Sequence, residues 1–129
     1  MTPGVRGIGI DLIEVERIRR GLEKHGERFV ARVLTAGERA YCLPMADPSP
    51  HVAARFAAKE AVAKALGTGI GAGVHLNEIG VVRDDAGAPS VELSGDTAET
   101  FAAMGGGRLL IALSHTKDHA IAQAMWVGE

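Results

Sequence analysis

Arg55-Phe56-Ala57-Ala58-Lys59-Glu60-Ala61-Val62-Ala63-Lys64-Ala65-Leu66-Gly67-Thr68-Gly69 sets one glutamate and three cations into an alanine-rich run. At about 100° of rotation per residue, Glu60 and Lys64 fall on one stripe of a helix and Arg55 and Lys59 on another. Ala54, Ala57, Ala58, Ala61, Val62 and Ala65 cover the remaining side. The pattern predicts a helix that buries its alanine side and presents its charged stripes. It should begin just after Pro50 and end at Gly67, a residue suited to the left-handed C-cap. An acid flanked by cations points to a metal ion and a phosphate held together.

Toward the N-terminus, residues 5–10 read as a short buried strand in which glycines permit close backbone approach, ending at Asp11. Residues 14–24 carry Val15, Ile18 and Leu22 at helical spacing beneath a basic outer face, and Gly26 stops that helix. Residues 28–34 add a helical turn or two. Thr35 then caps a helix reaching Leu43, with Glu38 at the capping-box position, before the loop of Pro44, Pro48 and Pro50.

Toward the C-terminus, Gly67, Gly69, Gly71 and Gly73 make a flexible loop. Residues 79–83 and 90–93 flank Asp84-Asp85-Ala86-Gly87 as a hairpin, and residues 96–104 form a helix capped by Ser94 or Asp96. Two apolar strands, 109–113 and 120–127, are joined by Ser114-His115-Thr116-Lys117-Asp118-His119. The expected fold is α+β: a mostly antiparallel sheet against one long central helix and shorter helices, in a single domain over residues 1–129.

With 129 residues, 47% hydrophobic and 23% charged, the composition is that of an ordinary soluble domain with one core. A net charge of −2 leaves no footprint for nucleic acid, and 4% aromatics give no row of rings for stacking bases. Phosphate recognition must therefore be local. One cysteine, Cys42, cannot form an internal disulfide, and no secretory pattern opens the chain, so the cytoplasm is the expected setting. No stretch approaches the roughly 18 apolar residues of a membrane span.

Asp11 can serve as a metal ligand at the end of its strand or as the N-cap of the next helix. Glu60 and Lys64 can be an ordinary i,i+4 surface pair or part of a metal–phosphate site. Mg²⁺ takes one or two protein carboxylates and completes its shell with water and substrate phosphates, which suits Asp11 with Glu60. Ser114, His115 and Thr116 can donate to an anion or simply build a turn. His115 and His119 straddle that turn, which argues against a shared zinc. Ser114 lacks a nucleophile elbow, and the glycine run at 67–73 follows a helix instead of a strand, so hydrolase and Rossmann readings fail.

Three segments coincide with one family. Gly7-Ile8-Gly9-Ile10-Asp11-Leu12-Ile13-Glu14, the run from Arg55 to Gly67, and Leu113-Ser114-His115-Thr116 resemble the signatures of the phosphopantetheinyl transferases, the small holo-acyl-carrier-protein synthase group in particular. The resemblance extends from about residue 5 to residue 126 and takes in Arg28-Phe29, Leu34-Thr35 and the hairpin with Gly87 and Pro89.

The resemblance implies transfer of 4′-phosphopantetheine from coenzyme A to a serine of apo acyl carrier protein, releasing adenosine 3′,5′-bisphosphate. It implies that Asp11 and Glu60 hold Mg²⁺ against the pyrophosphate, which Lys64 neutralises. Arg55, with His115 and Thr116, would contact the 3′-phosphate end of the nucleotide, and Ser114 is a further candidate for binding coenzyme A. Glu60 or a metal-bound water would take the serine proton. Arg17, Arg20, Lys24 and Arg28 would dock the acidic carrier protein, and a homotrimer with active sites between subunits is expected. A reading from a different class is a non-catalytic anion-binding or oligomerising α+β module, with Glu60–Lys64 a structural pair and Asp11 a cap.

Overall fold

The computed structural model describes residues 4–128. Among them β1 (Gly4–Glu14), α1 (Val15–His25), α2 (Glu27–Val33), α3 (Ala36–Cys42), α4 (Ser49–Leu66), β2 (Ile79–Arg83), β3 (Pro89–Leu93), α5 (Gly95–Ala103), β4 (Arg108–His115) and β5 (His119–Gly128) follow in order. A single 3₁₀ turn, Leu76–Glu78, precedes β2. β5 lies between β1 and β4 in one antiparallel sheet, while β2 and β3 form a separate antiparallel hairpin. The α+β expectation holds, with two sheets in place of one.

Alternation along the strands decides how the larger sheet is used. On β1, Ile8, Ile10 and Leu12 are exposed, whereas Gly9 and Ile13 are buried. Ile8, Ile10 and Leu12 therefore line the outer face, and the glycines with Ile13 the inner one. The inner positions of β5 are Ala120, Ala122 and Ala124, all buried, and α4 lies across this floor. A Cβ at Gly7 would collide with the carbonyl oxygen of Ala65, and one at Gly9 with that of Ala61. Close approach of small residues joins helix to sheet.

The expected division of α4 into a buried and an open side is half right. Lys59 is 0% exposed; its ammonium donates to Glu38 Oε1 at 2.6 Å, to Leu76 O at 2.9 Å and to Ile79 O. Glu38 completes the expected capping box with Thr35 and also accepts the backbone N–H of Val81 at 2.8 Å. One buried ion pair thus pins α3, α4 and the start of β2 together. Burial pushes the Lys59 ammonium down from its ordinary pKa, and the neighbouring Glu38 carboxylate opposes that shift. Apart from Pro50, only His51, Phe56, Glu60 and Lys64 of α4 escape burial.

Several boundaries moved for physical reasons. β1 runs past Asp11 to Glu14 because β5 keeps pairing with it as far as His119. α4 starts at Ser49 with Pro50 inside its first turn, where the missing N–H would have had no partner. It ends as expected, with Gly67 at φ 77°. The glycine segment beyond is a defined turn, Gly71 and Val74 exchanging backbone hydrogen bonds of 2.8 and 2.9 Å. Ser94 occupies the N-cap of α5 as expected, but its side chain makes no capping hydrogen bond. Glu78 Oε1, from before β2, accepts the backbone N–H of Thr97 at 3.0 Å and its hydroxyl at 2.8 Å.

Val15 and Ile18 bury the inner side of α1, each contributing about 1.5–3 kcal/mol. Gly21 admits the ring of Phe29 from α2; a Cβ there would lie 2.6 Å from its Cε2. No helix among the described residues is long and apolar enough to cross a membrane.

Candidate active site

Asp11 shares the inner side of β1 with Gly7 and Gly9, so its carboxylate faces α4. The extension of β1 removes the capping alternative: Glu14 occupies the N-cap of α1, and no side chain caps that helix. Lys64 Nζ donates to Asp11 Oδ1 at 3.0 Å and to Ile10 O at 2.9 Å. The lysine therefore turns to the strand, away from the i,i+4 pairing with Glu60.

Glu60 is half-buried and has no hydrogen-bonded partner among the described residues. Burial pushes its carboxyl above the usual range and the Asp11 charge adds to that, while Lys64 and Arg17 oppose it. A carboxylate in this state gains by acquiring a cation. Among the described residues no three His, Cys, Asp or Glu side chains gather as a metal cage. Two converging carboxylates fit a hard cation that draws its remaining ligands from water and phosphate. The same donor set does not fit a structural zinc.

A cleft of ≈ 380 Å³ opens beside Glu60, with Arg17, Ile18, Phe29, Phe56 and Ile70 in its walls. The Arg17 guanidinium stands 5.9 Å from the centre of the Phe56 ring. A larger cleft of ≈ 490 Å³, between β3, α5 and β4, contains none of the candidate residues. Arg17, Arg20 and Lys24 lie along one stripe of α1, and Arg28 follows on α2; all four are exposed. The stripe ends at the cleft, because Arg17 belongs to both.

A second, basic group lies elsewhere around α4. Arg55 is 8% exposed, donates to His51 O at 3.1 Å and stands 4.7 Å from the centre of the Tyr41 ring. Its Nε is buried without a partner. The His51 ring meets that of Tyr41 edgewise at 6.5 Å and that of His115 at 5.5 Å. Arg55 and His115 are thus gathered, as the sequence suggested, with His51 between them. Burial lowers the His51 pKa, His115 and Arg55 push the same way, and Asp47 opposes them.

Ser114 and Thr116 do not join this group. The register opposes Ser114 to Ile121 on the outer face and His115 to Ala120 on the inner one. Ser114 and His115 lie within β4, not in the turn after it. Thr116 Oγ1 accepts the N–H groups of Asp118 and His119 at 3.3 and 3.1 Å, which is turn chemistry. Sequence reasoning also missed His51 and Tyr41. His51 sits one helical turn before Arg55, a spacing that could have exposed it; for Tyr41 no local signal existed.

The pattern of the 4′-phosphopantetheinyl transferase superfamily matches residues 7–124. The chain belongs to this superfamily. It is 43% identical to a holo-[acyl-carrier-protein] synthase of Syntrophotalea carbinolica over 126 residues, 98% of either chain. Its fold is similar to the crystal structure of the holo-[acyl-carrier-protein] synthase of Neisseria meningitidis, with TM-score 0.88, 32% identity and coverage of 98% of this chain and 100% of that one. The synthase of Helicobacter pylori, solved in complex with coenzyme A, superposes with TM-score 0.81 at 31% identity, covering 94% and 99%. Within the superfamily signatures, Asp11, Arg55, Glu60, Lys64 and His115 are the side chains that this chain assembles into its two groups.

Proposed function

We propose that this protein is a holo-[acyl-carrier-protein] synthase, moving 4′-phosphopantetheine from coenzyme A to a serine of apo acyl carrier protein. The observation that carries the reading is the pairing of a carboxylate site, Asp11 with Glu60 beside Lys64, with a separate cationic site in which Arg55 and His115 both adjoin His51. Coenzyme A presents a pyrophosphate and a distant 3′-phosphate, and so calls for two such sites.

Asp11 and Glu60 would hold Mg²⁺, which when bound neutralises charge on the pyrophosphate oxygens. Lys64 adds a mobile cation at the same place, released from Asp11 to follow the developing charge. The serine oxygen forms a bond to the β-phosphorus as the bond to the bridging oxygen breaks, and adenosine 3′,5′-bisphosphate leaves. Glu60, whose side chain makes no hydrogen bond among the described residues, has a second carboxylate oxygen to accept the serine proton. Arg17, Arg20, Lys24 and Arg28 form the face that meets the acidic carrier, steering association by charge complementarity. The cytoplasm, where coenzyme A and carrier proteins meet, is the setting.

The assembly is a homotrimer with shared sites. Five residues separate Arg55 from Glu60, which sets their side chains about 140° apart around α4. A nucleotide on one chain's Arg55 would then lie away from that chain's own Glu60, and a neighbour's carboxylates would complete the site. Exposed Ile8, Ile10, Leu12, Leu110 and Ile121 on the outer sheet face supply apolar surface for the contact.

Incubation with coenzyme A, Mg²⁺ and apo acyl carrier protein should add one phosphopantetheine to the carrier, read by intact mass. No adduct on any acyl carrier protein would defeat the enzyme reading. Sedimentation should give a trimer, and a monomer at working concentration would defeat the shared-site reading.

A further inference from the structure

We propose that His51 completes, with Arg55 and His115, the site for the 3′-phosphomonoester of the nucleotide, and that the His51 imidazole takes up a proton when the dianion binds. This rests on the coenzyme A reading above and assigns a residue outside its motifs. Three elements converge: α3 brings Tyr41, α4 brings His51 and Arg55, and β4 brings His115. Arg55 is a buried cation with one guanidinium nitrogen unpartnered and no carboxylate bonded to it among the described residues. Such a group is stabilised when an anion arrives to pair with it.

The charges around His51 leave a positive excess. Arg55 faces it from its own helix and His115 from β4, with Asp47 the opposing acid from the loop before α4. Asp47 is committed elsewhere, its Oδ2 accepting from Arg19 at 2.9 Å and its Oδ1 from the backbone N–H of Ser49 at 3.1 Å. Beyond Arg55 stand Cys42, whose thiol burial pushes up and keeps neutral, and Lys59, paired with Glu38. Burial and like charge push the His51 imidazole below its ordinary pKa. A phosphate dianion reverses the balance, since a protonated His51 imidazole donates a charge-assisted hydrogen bond to it.

The test is calorimetric titration of the wild type, His51→Gln and His51→Arg with adenosine 3′,5′-bisphosphate and with adenosine 5′-phosphate. It is run at about pH 6 and about pH 8, in buffers of different ionisation heat. Wild type should take up protons on binding the bisphosphate and bind it more tightly at the lower pH. His51→Gln should weaken that binding about tenfold at the lower pH and reduce the uptake. His51→Arg should retain tight binding with a flatter pH profile. Neither variant should alter 5′-phosphate binding. Wild-type affinity and proton uptake in His51→Gln would overturn the His51 assignment while leaving the coenzyme A reading standing. A wild type that binds neither nucleotide would overturn both.

Discussion

Lys64 bonds Asp11 across the seam between helix and sheet, Nζ to Oδ1 at 3.0 Å, and not Glu60 one turn earlier on its own helix. The pair is partly solvated, with side chains 51% and 17% exposed, so it adds at most about 1 kcal/mol to stability. Lys64→Met should therefore leave urea unfolding nearly unchanged while transfer slows by about 100-fold or more. Equal losses of stability and rate would make the lysine a structural residue.

Glu60 ties stability to pH. Its folded pKa lies above the unfolded one, so stability falls as pH climbs from about 4.3 through the raised value. Glu60→Gln should melt higher than wild type at about pH 8 without divalent ions, and the gap should close below about pH 4. Adding Mg²⁺ should raise the melting temperature of wild type alone. A gap independent of pH would assign the effect to packing.

Removing one partner of the buried Lys59–Glu38 pair strands the other. Lys59→Met should destabilise the fold by about 3–5 kcal/mol, and Lys59→Met with Glu38→Leu should recover part of that loss. Denaturant titration of the single and double variants checks this; a double variant worse than the sum would contradict it.

Gly9→Ala should destabilise by about 1–3 kcal/mol, because the new methyl meets the carbonyl of Ala61 and the backbone nitrogen of Ala65. Transfer activity should fall further than stability does, since Asp11 follows on the same strand. Wild-type activity in a folded variant would show that the seam tolerates widening.

Arg20 is 78% exposed, its nearest acid being Glu16 at 3.7 Å. Arg20→Glu should raise KM for the carrier protein several-fold with little change in kcat, and the wild-type KM should rise with salt. An unchanged KM would move the docking face away from α1.

Local chemistry made much of the fold legible. The Thr35–Glu38 capping box, the Gly67 stop and the hairpin around Asp84-Asp85-Ala86-Gly87 depend on neighbours in sequence, and all three stand. Lys59 misled because periodicity places a side chain on a stripe without revealing the partner that stripe will meet; Glu38 lies 21 residues away. Glu78 capping α5 is the same case at 19 residues. In the site, Asp11, Glu60, Lys64, Arg55 and His115 were readable from motifs. Ser114 was not separable from His115, since adjacent residues in a motif point to opposite faces once the segment is a strand.

The contact of α4 with Gly7 and Gly9 is backbone against backbone, with no side chain between to change rotamer. That makes it a rigid gauge: the spacing between Asp11 and Glu60 follows from the thickness of two peptide chains. Softness in the site must therefore come from Lys64 and Arg17, the long side chains at its rim. On the proposed reading, substrates enter by displacing long cations over an anionic floor that stays still.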